Sequence, residues 1–323
     1  MNKLILAAAI LASPALAADE APAPPTPASV VEAAKPSEWK AIDPADLLVM
    51  DLAPDAKGNK RQVIIQLMPP PFSQGWVDNI RTLARAHWWD GTSVYRAVDN
   101  WVVQWGDGEG EDPAKAKPLP KGLKVVPESE YVAPATKAEL TNLADGASFG
   151  ASGLAKTTSF LSDPYASLTT FYEGWPIATS SNAKWPTHCY GTVGVARDLS
   201  PDTGTGAELY SVIGQAPRQL DRNIAVVGRV IEGIENLSTL PRGKGDHGVY
   251  ADKSLRVPII SVRLGSDLPT AEQPHFEYLD TGSKSFAEYV HVSANRNDAF
   301  YKVPAGGIAL CNVKVPIRRV PGE

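Results

Sequence analysis

Few residues of this 323-residue chain have the types and spacing that chemistry requires. Its five histidines (His87, His188, His247, His275 and His291) form neither an H-E-x-x-H motif nor a paired spacing, so no metal site is expected. The acidic run Asp107, Glu109, Glu111 and Asp112 lacks the Asp/Asn alternation and distal glutamate of a calcium loop, and reads as solvated loop. There is no G-x-S-x-G nucleophile elbow. Cys189 follows His188, but adjacent residues of a strand face opposite sides, so the two are not set up as nucleophile and base. What remains is Trp88 to Asp107, WWDGTSVYRAVDNWVVQWGD, which places Arg96 and Gln104 among Tyr95, Trp101 and Val102. Alone, such an arginine reads as a surface ion-pair partner and the aromatic side chains as core. Any chemistry must come from context.

The elements around that segment are legible from periodicity. Leu47 to Met68 holds two apolar runs, LLVMDL and QVIIQLM, split by the turn-rich PDAKGNK. Val63, Ile65 and Leu67 alternate with Ile64 and Gln66, which predicts a β-hairpin. In SQGWVDNIRTLARAH the spacing of Trp76, Ile80, Leu83 and His87 predicts an amphipathic helix. Strands are expected at 93–98, 101–105, 190–195, 209–213, 224–230 and 257–264. A short helix is expected at 233–240 and a second amphipathic stretch at about 285–293. The tail GGIALCNVKVPI reads as strand. Residues from about 108 to 187 show no strong periodicity, and form a long insert of unreadable purpose. Many short strands with two capping helices point to a mainly β protein, a closed antiparallel barrel of about eight strands, since closure removes exposed sheet edges.

Composition bounds the rest. Apolar residues make up 43% and charged residues 21%, as in a globular protein, and a net charge of −5 without a basic block argues against nucleic acid as partner. The 28 prolines and 26 glycines favour turns and strands over long helices. Residues 1–17 read as a signal peptide, with Lys3, an apolar run from Leu4 to Ala12, and Ala15-Leu16-Ala17 before a cleavage point at Ala18; an uncleaved anchor is the other reading. Residues 18–40 are rich in Pro and Ala and read as a flexible tether, or else as a Pro-rich ligand. After signal removal no stretch approaches a membrane span, so an exported, periplasmic protein is expected. In that compartment Cys189 and Cys311 form either a disulfide that ties the tail to the strand at Tyr190, or two buried thiols.

Three collinear segments carry a family resemblance. Trp88 to Asp107 resembles the hallmark strand pair of the cyclophilins: Tyr95-Arg96 fills the His/Tyr-Arg position, Trp101 stands for a Phe, and Gln104 with Gly106-Asp107 closes the motif. GTVGVARDLSPDTGTGAELYSVI (191–213) and QLDRNIAVVGRVIEGIE (219–235) are similar to two later cyclophilin segments, in the same order. The resemblance implies a peptidyl-prolyl cis-trans isomerase, without cofactor, acting on proline-containing polypeptides. It implies that Arg96 stabilises a twisted amide and that Gln104 holds substrate backbone and helps to orient Arg96. Trp101, Val102, Tyr210 and Leu220 would line the proline pocket, and Tyr95, Ala196, Arg197, Glu208 and Ile224 would complete the substrate groove. The expected organisation is a barrel domain over 41–265, with the insert inside it, and an extension over 266–323 packed on the barrel; the chain is expected to act as a monomer.

The chain also departs from the family. Trp105 replaces the first Gly of Q-G-G-D and is expected to crowd the strand after Gln104. Arg197 replaces an Asn, Ile224 a His and Glu208 a Gln; Glu208 either pairs with Arg197 or competes for Arg96. Gln219 falls near a Trp that contacts cyclosporin in many members, so weak drug binding is expected. A catalytically weak, cyclophilin-shaped chaperone or peptide-binding module is the alternative function.

Overall fold

A computed structural model describes residues 23–139, 163–180 and 182–321. The expected signal peptide and the first residues of the expected tether, up to 22, lie outside the described residues. Among those described, no helix is long and apolar enough to cross a membrane.

Along the chain the elements are α1 (Pro27–Glu32), β1 (Trp39–Ile42), β2 (Leu47–Leu52), β3 (Arg61–Leu67), α2 (Gln74–Arg85), β4 (Ser93–Ala97), β5 (Val102–Gly106), β6 (Ala133–Pro134), β7 (Leu168–Tyr172), β8 (Trp175–Thr179), β9 (Ala183–Pro186), β10 (Thr192–Val195), β11 (Leu209–Val212), β12 (Val226–Glu232), α3 (Glu235–Ser238), β13 (Val257–Leu264), β14 (Phe276–Leu279), α4 (Lys284–Ala294) and β15 (Ile317–Arg319). Eight strands close an antiparallel barrel in the order β10-β11-β5-β4-β13-β2-β3-β12. The β2–β3 hairpin pairs Leu47 with Gln66 through to Leu52 with Arg61. Its period-two pattern sends Leu48, Met50, Val63, Ile65 and Leu67 into the barrel, and Leu47, Val49 and Ile64 outward. Helix α2 lays Trp76, Ile80 and Leu83 on the same core, each fully buried. At about 1.5–3 kcal/mol for each large apolar side chain removed from water, this core dominates the stability of the domain. The second expected capping helix shrinks to the single turn α3, whose Leu237 is buried in that core. Gly233, just before it, has φ +82° and sits so close to the Gln62 carbonyl that no Cβ would fit.

Three expectations change. The first is the insert. Its described residues contain a four-stranded sheet, β6-β9-β8-β7, where no periodic structure was expected. Glu173 and Gly174 both have positive φ and join β7 to β8 as a two-residue hairpin turn. The sheet is seated on the barrel: Arg229 of β12 donates to the Gly174 carbonyl (2.6 Å) and lies over the Trp175 ring, while Tyr131 stacks flat on Trp76 (5.4 Å).

The second is the tether over 18–40. Residues 27–32 form α1, with Thr26 and Ser29 closing a capping box, and Trp39–Ile42 pair with β14. Val31 and Ala34 pack against a cluster of Trp39, Leu279, Phe286 and Val313. Composition alone misled here, because apolar partners 250 residues away complete a surface that this short segment cannot bury by itself. The sheet β1-β14-β15 then covers Leu47, Val49 and Ile64 on the outside of the barrel through Phe276 and Tyr278. A boundary at 265 therefore runs between strands of one sheet.

The third is the tail. Leu310–Asn312 form a 3-10 turn, and the strand comes later, at Ile317–Arg319. Cys311 of that turn is disulfide-bonded to Cys189, with Cα atoms 5.1 Å apart.

Candidate active site

Strand alternation decides which side chains reach the groove. In the β5–β11 ladder Gln104 opposes Tyr210 and Val102 opposes Val212 on the outer face, whereas Val103, Trp105 and Leu209 point into the barrel. Trp105 is fully buried in the core, so it does not crowd the groove; it replaces a glycine by filling barrel interior. Its position one residue from Gln104 on a two-residue period is the physical reason.

The β4–β5 ladder shifts register between Val94 and Arg96, so Tyr95 is an extra residue and Arg96 faces Gln104 directly. The bulge brings Tyr95, Arg96 and Gln104 into mutual contact. Arg96 Nη1 donates to Gln104 Oε1 (2.8 Å), and Arg96 Nε donates to the carbonyl of His247 (2.7 Å), which a left-handed backbone at His247 (φ 52°) turns toward it. Gln104 Nε2 donates to the Tyr95 hydroxyl, and that hydroxyl donates to Glu208 Oε2 (2.8 Å). The backbone N–H of Asp107 donates to Glu208 Oε1 (2.7 Å).

Glu208 thus engages neither Arg197 nor Arg96, unlike both sequence expectations. Arg197 is occupied elsewhere, donating to the carbonyls of Asn223 and Asp198. The carboxylate of Glu208 lies over Gly106, where an added Cβ would come within 2.1 Å of it. Burial pushes the Glu208 carboxyl up to about 7, the charge of Asp107 adds to this, and the N–H of Asp107 and O–H of Tyr95 oppose it. Burial also raises the Tyr95 hydroxyl and lowers the Arg96 guanidinium from its ordinary value, though an arginine stays cationic.

Beside this polar chain lies an apolar cluster. Val102, Tyr210 and Val212 are buried, and Trp101, Ala196 and Ile224 pack against them half-exposed. Leu220 lies outside that cluster, on the 3-10 turn Arg218–Leu220. A cleft of about 550 Å³ runs along the polar chain, bordered by Tyr95, Gln104 and Glu208, by Ala196 and Arg197, and by Lys117 of the insert; of the apolar cluster only Ala196 lines it.

Sequence reasoning missed the residues that hold Tyr210. Gly194 opposes it across β10–β11, and a Cβ there would fall 2.3 Å from the Tyr210 hydroxyl. That bare backbone lets the ring reach the buried His188, whose other nitrogen meets Asp221. The glycine-interrupted run TVGVA was visible, but nothing local ties His188 to residues 210 and 221.

A closed barrel with an arginine and an apolar pocket side by side on its outer face defines a cyclophilin fold. The family model for cyclophilin type peptidyl-prolyl cis-trans isomerases matches residues 75–264, and the chain belongs to that family; it is an isomerase of the peptidyl-prolyl bond. Among solved structures it is similar to the cyclophilin AquaCyp293 from Hirschia baltica, with 21% identity, a TM-score of 0.61, and coverage of 92% of this chain and 98% of that one. This likeness extends the shared fold beyond the barrel. A cyclophilin type isomerase from Cryptosporidium parvum matches at 10% identity and a TM-score of 0.36, covering 67% of this chain and 98% of that one. No curated protein matches the chain.

Proposed function

We propose that this isomerase acts on X-Pro bonds of exported proteins in the periplasm and assists their folding, with Arg96 as the group that stabilises the twisted amide. The observation that carries the role is the fixing of Arg96. Nε and Nη1 are held by His247 and Gln104, while Nη2 has no hydrogen bond to another described residue, and Gln104 stands opposite Tyr210 of the apolar cluster.

An X-Pro amide rotates slowly because lone-pair delocalisation gives the C–N bond double-bond character; the barrier is about 18–20 kcal/mol. No covalent step is needed. At the twisted geometry the nitrogen is pyramidal and basic, so a fixed guanidinium donor binds it better than it binds either planar isomer, and that difference is catalysis. An acceleration of about 10⁵ needs roughly 7 kcal/mol of such differential binding. In this reading Val102, Tyr210, Trp101 and Ile224 hold the proline ring, Gln104 and Ala196 engage substrate backbone, and Arg197, with Leu220 further along, borders the extended peptide. The exported location is supported by the signal-like residues 1–17 and by the Cys189–Cys311 bond, which persists in oxidising compartments.

The test is exchange of a proline-containing peptide measured by NMR. Arg96→Ala is expected to lower kcat/KM by roughly 10²–10³-fold with the fold intact. Undiminished exchange in that variant overturns the mechanism. Suppression of client aggregation by wild type and variant alike, with no exchange from either, would instead favour the chaperone reading.

A further inference from the structure

We propose that Glu208 is a positioning residue for Arg96: its carboxylate, acting through Tyr95 and Gln104, sets the direction of the hydrogen-bond chain that presents the guanidinium. The inference rests on the role given to Arg96 above and adds to it a residue with no contact to the twisted amide.

The chain is continuous. Arg96 donates to Gln104, Gln104 to Tyr95, and Tyr95 to Glu208, and every donor points toward the carboxylate. Each link has only one way to be satisfied. The tyrosine has a single O–H, and while that proton goes to Glu208 the oxygen can only accept, so it takes the amide N–H of Gln104. Gln104 then has its carbonyl oxygen turned to Arg96, where an acceptor is needed. A carboxylate at the far end is what orients all three.

Protonation of Glu208 reverses this. Oε1 faces the N–H of Asp107, a donor, so the added proton must reside on Oε2 and point at Tyr95. Two O–H groups then confront each other. Tyr95 can keep its proton bonded only if the Gln104 amide flips to offer its oxygen, and the flipped amide turns its NH₂ toward the guanidinium. Donor meets donor, and Arg96 is released from Gln104 while His247 still holds Nε. The family's glutamine at this position carries no such switchable charge; here Gly106 leaves room for the carboxylate against bare backbone.

The groups that could influence the carboxylate are few. Tyr95 approaches from β4 with Arg96 behind it, Asp107 from the end of β5, Glu111 and Lys117 from the insert, and Arg197, Asp198 and Asp202 from the loop after β10. Burial raises the carboxyl to about 7, which puts the reversal in the neutral range.

The experiment is kcat/KM against pH, from about pH 5.5 to about pH 8.5, on a peptide without ionisable side chains. Wild type is expected to lose on the order of tenfold on acidification, in kcat more than in KM, because misplacing one donor weakens only the twisted state. Glu208→Gln is expected to sit near the acid plateau of the wild type with no pH dependence. Tyr95→Phe, which leaves Glu208 in place but cuts the chain, is expected to be equally flat. A wild-type slope retained by a folded Tyr95→Phe or Glu208→Gln overturns the proposal, and so does a flat wild-type profile. If Glu208→Gln does not fold, Tyr95→Phe decides alone. Arg96→Ala in the same assay separates the two ideas: an inactive Arg96→Ala beside a flat wild-type profile defeats only the relay, and an active Arg96→Ala defeats the reading beneath it.

Discussion

His188 Nε2 lies 3.0 Å from the hydroxyl of Tyr210, and the two rings stand nearly parallel with centroids 6.4 Å apart. Nδ1 of the same histidine is 3.0 Å from Asp221 Oδ1, and Asp221 Oδ2 accepts from Arg218 Nε (2.6 Å), which also pairs with Asp163. With Asp221 accepting from Nδ1–H, Nε2 becomes the acceptor for the tyrosine proton. The Tyr210 ring, proposed above as the aromatic wall of the proline pocket, is thereby held from beneath by a buried chain that begins in the insert.

Removing the imidazole leaves the Tyr210 hydroxyl without its partner in a dry site and takes one donor from Asp221, which keeps the backbone N–H of residue 188 and Arg218 Nε. His188→Leu is expected to cost roughly 3 kcal/mol, read from chemical denaturation. Tyr210→Phe keeps the ring and loses one bond, so a cost of about 1 kcal/mol with near-normal peptide exchange is expected.

Gly194→Ala attacks the same wall from the other side. The new Cβ would overlap the Tyr210 hydroxyl, forcing the ring out of the pocket floor. The expected result is a rise in KM for a proline peptide on the order of tenfold, measured by exchange at several peptide concentrations.

The Glu208 carboxyl has a pKa of about 7 in the folded chain against an ordinary 4.5. The folded state therefore binds this proton more tightly than the unfolded state does. The stability from this group is present in full below the ordinary value and is lost as pH rises through 7. The loss is at most about 3 kcal/mol, an upper bound because the carboxylate retains some contact with water. Melting of Glu208→Gln is expected to gain on wild type at about pH 8 relative to about pH 5; an unchanged difference between those pH values would contradict the burial argument.

The Cys189–Cys311 bond closes a loop of 122 residues, so reducing it is expected to cost about 5 kcal/mol on a loop-entropy account. The extension keeps its β1–β14 pairing and its apolar seat on β2 and β3. Reduced protein should thus stay folded but melt earlier, with new protease cleavage around residues 309–313.

Gln219 is exposed, and its carbonyl accepts from Asn223, the residue before Ile224 of the apolar cluster. Cyclosporin is expected to bind weakly, and Gln219→Trp to tighten it by roughly tenfold through added aromatic contact, measured by calorimetry.

What the sequence alone determined was whatever depends on near neighbours. The β2–β3 hairpin follows from a period of two across a turn, α2 from a period near four, and the Arg96–Gln104 pair from a motif within one strand pair. Residues far apart in the chain decided the rest. Composition made residues 18–40 read as a tether, yet Trp39 and Val31 find their apolar partners at Leu279 and Phe286. Arg197 and Arg96 were reasonable partners for Glu208 by charge, but its actual partner is Tyr95, 113 positions away, because a bulge in β4 turns that hydroxyl across the ladder. Trp105 looked like an obstruction until strand alternation turned it inward. Charge and size are written in each residue, whereas direction and company come only from the packed barrel, and in this active site it is direction that assigns every hydrogen bond.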